Sequence, residues 1–393
     1  MASALETLCG QAYGAKQYRM LGIYMQRSWV ILTLCAILLL PVYIFTSPIL
    51  KFLGQPDDLA ELSGLVTIWL IPLPFAFALQ FPLQRFLQCQ LKTPIIACVC
   101  FGALLSHIFL SWLVVYKIGF GVIGAAATSC VSWWLIVLGL FSYTVGGGCP
   151  QTWTGFSMEA FSDLWDFFKL SVASGIMLCL ENWYYRILVL LTGHMNNATV
   201  VVSALTICMS INGLELMIPF AFLAATGVRV SNELGAGNGK AAKFAYEVSV
   251  FTSLIIGIFF STLIMIFHEK LAIIFTNSDV VLQAVDSLAF LLALTILLNS
   301  IQPVLSGVAI GSGWQAWVAY INLGCYYIIG LPLGAALGWV FNLGVRGIWS
   351  GMIGGTAIQT LILIIITVRC DWDMQAQKAS SRMKMLSNTS GMP

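Results

Sequence analysis

Charge is what this sequence has least of: 18 Lys and Arg and 16 Asp and Glu in 393 residues, 9% in all, where soluble domains carry about 25%. So few ionised groups cannot cover the surface of a water-soluble globule, and that class is excluded. A formal net charge of +2 leaves no basic face for nucleic acid and no acidic tail, so no nucleic-acid partner is expected. Histidine is scarcer still. His107, His194 and His268 are far apart with no HxxxH or HExxH spacing, so neither a metal site nor a histidine-based intramembrane enzyme is visible. The eleven cysteines include no CxxC pair; Cys35, Cys100, Cys130 and Cys208 lie in apolar blocks, where a thiol packs as a small hydrophobe. No disulfide framework follows. Gly235-Ala236-Gly237-Asn238-Gly239 lacks the Gly-Lys-Ser/Thr of a phosphate loop and reads as a link between helices. Nothing here requires a cofactor. A cleavable signal peptide is not expected either, because the first apolar block begins near Ser28 and continues to spanning length.

Apolar residues, by contrast, make up 59% of the chain, and they are gathered into blocks of about 18 residues or more, long enough to cross a bilayer core as helices. This is an all-α polytopic membrane protein. Ten spans are predicted: Ser28 to Phe45, Leu62 to Leu83, Ile95 to Tyr116, Val122 to Val145, Leu170 to Leu191, Val200 to Val228, Val248 to Phe267, Leu288 to Val308, Trp317 to Val340 and Ile348 to Val368. Turn-rich links such as Gly54-Gln55-Pro56-Asp57-Asp58 separate them. With alternate links on opposite sides, thirteen of the Lys and Arg residues fall on one side, Lys16, Arg85 and Arg369 among them. Only Lys51, Lys117, Lys270 and Arg346 fall on the other. The positive-inside rule then places both termini in the cytoplasm. The tail from Cys370 reads as polar and mobile, and Asn197-Ala198-Thr199 and Asn388-Thr389-Ser390 match a glycosylation sequon that recurs by chance.

The chain also repeats itself. Gly10 and Gly14 align with Gly235 and Gly239 at an offset of 225, Asp58 and Pro82 with Asp279 and Pro303 at 221, and Gly121 and Gly124 with Gly344 and Gly347 at 223. Four spans after Gly14 thus answer four after Gly239. Two further spans precede Gly235 and none precedes Gly10, so the expected parent architecture is six plus six, with about 60 residues carrying the first two spans absent here. Two such bundles give expected divisions at 1–145 for an N-lobe, 146–169 for a cytoplasmic link, 170–369 for a C-lobe and 370–393 for a tail.

An ionisable group inside a span needs a partner, a wet cavity or a function. Glu181 lies midway along its span, with Tyr184 and Tyr185 on its own helical face, where their hydroxyls can hydrogen-bond its carboxylate. On this reading it trades a proton for a cation; the alternative is a structural glutamate bonded to a neighbouring helix. Arg186, five positions on, faces elsewhere and snorkels to the boundary. Asn212 and Glu215 sit near the depth of Glu181 on the next span, ahead of Pro219. Gln80 and Gln84 flank Pro82 while Asn299 and Gln302 adjoin Pro303, giving kinked helices with amides in matching places of the two halves. These amides either line a cleft or bond helix to helix. The 49 aromatic residues decide nothing alone, since Trp and Tyr gather at the interfaces of any membrane protein.

Four stretches carry a resemblance: MASALETLCGQAYGA at residues 1–15, PLQRFLQCQ at 82–90, CLENWYY at 179–185 and RVSNELGAGN at 229–238. In that order they resemble the MATE family of multidrug and toxic compound extrusion transporters, its plant DETOXIFICATION group in particular. The resemblance implies two lobes, alternating access and export of organic cations, alkaloids, flavonoid-type metabolites or xenobiotics in exchange for protons, with sodium as the other coupling ion. It gives the proton-coupling role to Glu181. It implies a small organic substrate, a lipid bilayer as host, either vacuolar or plasma membrane, and no obligate protein partner. Two departures stand out: the family's first-span acid has no counterpart, and the span Leu288 to Val308 holds no carboxylate, Asp286 lying just before it. The competing readings are a lipid-linked flippase, a membrane-embedded enzyme on lipid substrates, and an inactive shortened isoform.

Overall fold

A chain inside lipid must bond every backbone N–H and C=O within itself, and long apolar runs meet that condition as helices. The computed structural model describes residues 2–162, 164–192 and 198–389, and among these every regular element is helical. His194 and the sequon at Asn197 fall outside the described residues, as does Ser390 of the second sequon. In chain order the helices are α1 (Ala2–Gly14), α2 (Tyr18–Ile44), α3 (Thr46–Phe52), α4 (Asp57–Trp69), α5 (Pro72–Cys89), α6 (Thr93–Ser111), α7 (Gly121–Tyr143), α8 (Leu164–Thr192), α9 (Ala198–Gly235), α10 (Gly239–Ile273), α11 (Asp279–Asp286), α12 (Ala289–Ser312), α13 (Gln315–Asn322), α14 (Leu331–Ala335), α15 (Gly344–Arg369) and α16 (Trp372–Thr389).

Among the described residues eight helical stretches are long and apolar enough to span a membrane, and α4 with α5, bent by 47°, makes a ninth when the pair is counted as one span. The bend lies just ahead of Pro72, which has no N–H to continue the α4 ladder. It does not lie at Pro82, which stays inside α5, just as Pro219 and Pro303 stay inside α9 and α12. The remaining predicted span, Leu170 to Leu191, is helical within α8, but Glu181, Asn182 and Arg186 make it too polar to pass on hydropathy. Leu38, Phe101, Phe109 and Phe259 are exposed on these helices, an apolar surface suited to lipid.

The chain divides into two compact units, residues 1–171 with 388–393, and residues 172–387. In the first, α1 packs on α2 and α5, and α7 packs on α5 and α6. Arg85 of α5 reaches the fully buried Glu6 of α1 at 2.8 Å. The stretch after Gly148 is fastened to α2: Gln26 donates to the Gly155 carbonyl and accepts from the Ser157 N–H, and Arg27 donates to the Glu159 carbonyl and to Ser162. Trp29 adds an aromatic cluster with Phe141, Trp153 and Phe156.

In the second unit α9, α10 and α12 pack together and α15 closes against α12. Small residues let the helices approach: a Cβ on Gly307 would lie 2.3 Å from the Leu223 carbonyl oxygen, and one on Gly311 2.6 Å from that of Gly227. Over Trp372–Thr389 the polar tail is a helix rather than a mobile segment. Its apolar residues Trp372, Ala376, Ala379 and Met383 recur on one face and are buried, and Trp372 stacks on Tyr246 with ring centres 5.1 Å apart.

Candidate functional site

Glu181 stands on α8 inside the second unit, and three side chains converge on its Oε1. Gln302 Nε2 donates at 3.0 Å, Ser306 Oγ at 3.2 Å and Asn322 Nδ2 at 3.2 Å. Gln302 and Ser306 lie one turn apart on α12 and bond each other; Asn322 ends α13 and is held in turn by Gln359 of α15, whose Nε2 donates to its Oδ1 at 3.1 Å. Four helices therefore supply one carboxylate and its shell. No cation belongs to it: Arg186 is exposed and forms no ion pair among the described residues.

The tyrosines behave differently from expectation. Neither hydroxyl bonds Glu181. Tyr184 is fully buried, donates to the Met352 carbonyl at 2.8 Å and stacks on Tyr326 at 4.4 Å, which makes it a packing residue rather than a lining one. Tyr185 donates to Asn299 Oδ1 at 2.9 Å, and Asn299 Nδ2 donates to Asn212 Oδ1 at 3.2 Å, so a second polar chain runs from α8 through α12 to α9 one turn from the first. Beside it Tyr185, Asn299, Thr295, Trp349 and Thr356 enclose a void with room for about one water. Just beyond Asn322 the backbone is π-helical over Leu323–Gly330, a distortion that accompanies functional sites, and from it Tyr327 donates to the Leu180 carbonyl at 3.0 Å.

Glu215 is buried on α9, and neither of its oxygens has a hydrogen-bond partner among the described residues. Gln80 and Gln84 belong to the first unit, where Gln80 Nε2 donates to Gln84 Oε1 at 2.7 Å. Together with His107, Ser132 and Trp133 they line a cavity of about 450 Å³ there. Asp286 is remote from Glu181's shell and pairs instead with His268 at 2.7 Å. With Glu269 these two place three possible ligand atoms within 4.8 Å of one another, a juxtaposition that sequence spacing did not show.

The MatE family model matches residues 1–113 and 173–336, more than half of the chain. The chain belongs to the MATE family. Among its relatives, Protein DETOXIFICATION 27 of Arabidopsis thaliana is 65% identical over 390 residues, covering 99% of this chain and 80% of that one. Protein DETOXIFICATION 28 of the same plant is 62% identical over 384 residues, covering 98% and 78%. The crystal structure of the eukaryotic MATE transporter AtDTX14 superposes with a TM-score of 0.91 at 36% identity, over 97% of this chain and 86% of that one. An outward-facing multidrug resistance MATE transporter shares the fold at a TM-score of 0.81 and 16% identity, over 97% and 84%.

As a MATE protein the chain is a multi-pass integral membrane protein of the multidrug and toxin efflux class, a family of transporters and not of enzymes. MATE transporters move small organic substrates with H+ or Na+ as coupling ion. Three members of the Glu181 shell in this MATE chain, Ser306, Asn322 and Gln359, escaped sequence reasoning. Asn322 and Gln359 are amides in apolar blocks, a signal that could have found them, although they lack the neighbouring proline and the match between halves that singled out Gln302; Ser306 carries no such signal, because serine is common in spans.

Proposed function

We propose that the protein is a proton-coupled antiporter that exports organic compounds from the cytoplasm by alternating access, with Glu181 as the group that exchanges proton for substrate. The observation that carries this reading is the shell of Glu181: three neutral donors on one carboxylate oxygen and, among the described residues, no counter-cation. Neutral donors stabilise the ionised carboxylate without locking it, as an arginine would, so a proton or a cationic substrate is free to neutralise it. Amides and hydroxyls present either a donor or an oxygen, so the same shell serves the carboxylate, the carboxylic acid and a bound Na+. Asn212, Asn299, Gln302, Tyr185 and Glu215 are the proposed lining on this lobe, and Gln80 and Gln84 on the other. Members of the family carry the name DETOXIFICATION, which supports metabolites and xenobiotics as cargo.

One proton supplies about 1.4 kcal/mol per pH unit and about 2.3 kcal/mol per 100 mV. Several kcal/mol are then available across an acidic vacuolar or outer compartment, enough for a substrate gradient of about a hundredfold. The test uses proteoliposomes. Glu181→Gln keeps the shape and a hydrogen-bonding oxygen but cannot titrate, and it is expected to abolish efflux driven by a pH gradient; efflux at the wild-type rate rejects the assignment. The flippase reading would want arginines or lysines in the site, and none lies in this shell.

A further inference from the structure

At one end of the second unit, where α12 ends at Ser312, α13 begins at Gln315 and α15 ends at Arg369, the helices enclose a cavity of about 470 Å³. Its walls are Leu305 and Ala309 of α12, Val318 and Ile321 beyond Trp317, and Leu363 and Ile366 of α15, residues of membrane-spanning stretches. Trp317 is 72% exposed and Ile366 40%, so the cavity opens sideways onto the surface that faces lipid rather than inward toward Glu181. The charged groups lie at the mouth, and the buried Thr367 is the polar side chain of the α15 wall. Arg369 is the last residue of α15, and Asp371, two residues on, starts the turn into α16. Neither forms an ion pair among the described residues, although they carry opposite charges at one rim. One carboxylate oxygen of Asp371 accepts the Met374 N–H at 3.0 Å, which fixes its position, and α16 is itself anchored by Trp372 against Tyr246 and Trp314.

We propose that this cavity is a structural lipid site that takes one acyl chain of a zwitterionic aminophospholipid, of the phosphatidylethanolamine kind, with the phosphate on Arg369 and the ammonium facing Asp371. The apolar interior within spanning helices suits a hydrocarbon chain, and the Trp residues at its mouth mark the interfacial depth at which a headgroup lies. An arginine presents a planar fork of donors that matches phosphate oxygens, and a carboxylate matches a primary ammonium through charge-assisted hydrogen bonds. The charge pair decides the class. A net-anionic lipid would meet Asp371 as well as Arg369, and a choline headgroup has no N–H to donate. Occupancy would tie the end of α15 to the start of α16 and to the start of α13.

The experiment uses the purified full chain in detergent, titrated with phosphatidylethanolamine, phosphatidylcholine or phosphatidylglycerol carrying brominated acyl chains, with tryptophan fluorescence as the readout. The expected result is saturable quenching at the lowest concentration for phosphatidylethanolamine, and a smaller saturable part in Trp317→Phe, with Trp314 at the same cavity reporting the remainder. Arg369→Gln should weaken the apparent affinity for phosphatidylethanolamine about tenfold, the scale of one charge-assisted hydrogen bond. Asp371→Asn keeps an oxygen for the Met374 N–H and should erase the preference for the ethanolamine lipid over the choline lipid while retaining binding. Arg346→Gln, in the first turn of α15, should change nothing. Equal quenching by all three lipids that Arg369→Gln leaves untouched, a preference for phosphatidylglycerol, or no saturable component would each overturn the site.

Discussion

Two glutamates, the fully buried Glu6 and the half-buried Glu181, are met by opposite kinds of neighbour. Glu6 has a cation, Arg85, at 2.8 Å, but the contact is an ion pair without hydrogen-bond alignment and both carboxylate oxygens are otherwise unpartnered among the described residues. Burial therefore outweighs Arg85 and pushes the Glu6 carboxyl from its ordinary 4.5 up to about 7. The folded chain then holds this proton more tightly than the unfolded chain does. Below about pH 4.5 both forms are protonated and Glu6 adds no pH dependence; as pH rises from 4.5 through 7 it lowers stability, by up to about 3 kcal/mol. The melting temperature of the purified protein should fall over that window, and Glu6→Gln should flatten the fall. A wild-type profile unchanged by Glu6→Gln would show that Glu6 is not the titrating group. Glu181, by contrast, has only amides and a hydroxyl, which is why the exchange role is proposed for it and not for Glu6.

Among the elements, the pairing of α9 with α12 matters most for the site, because α12 carries Asn299, Gln302 and Ser306 while α9 carries Asn212. Their approach is set by Gly307 and Gly311, where backbone carbonyls of α9 occupy the volume a side chain would need. Gly307→Val would have to push the helices apart, since the nearest obstacle is the Leu223 backbone and not a flexible side chain. Overpacking of this kind destabilises by about 1–3 kcal/mol. The expected outcome is a lower melting temperature together with reduced transport, because the Asn299 to Asn212 bond at 3.2 Å cannot survive the separation. Undiminished transport by a folded Gly307→Val protein would show that the site does not depend on this close packing. The matching place in the first unit, α5, carries Gln80 and Gln84 about Pro82, as α12 carries Asn299 and Gln302 by Pro303.

On the scale of the molecule, the distribution of Lys and Arg predicts a cytoplasmic C-terminus and a Gly54 link on the opposite side. An epitope appended after Pro393 should be digested from the cytoplasmic side of sealed vesicles, and one inserted at Gly54 only after the vesicles are opened; the reverse pattern would invert the direction of export proposed above. Fold class was fully legible beforehand, because hydropathy over about twenty consecutive residues is a local property that lipid reads directly. Leu170 to Leu191 was recognisable despite its polar residues, while the packed helix at Trp372–Thr389 was missed because its burial depends on Tyr246 and Trp314, far away in the chain.

What the amino-acid order determined unaided was that the chain is helical, that it lives in a membrane, and that Glu181 is an acid out of place there. Which groups answer that acid was decided only by tertiary packing. Gln302, Ser306 and Asn322 stand 121, 125 and 141 residues away from it, and helical periodicity says nothing about contacts at that distance. The tyrosines one turn along were the natural local candidates. Packing turned one into the core and the other toward Asn299, because a hydroxyl on a helix bonds whatever the neighbouring helices present to it.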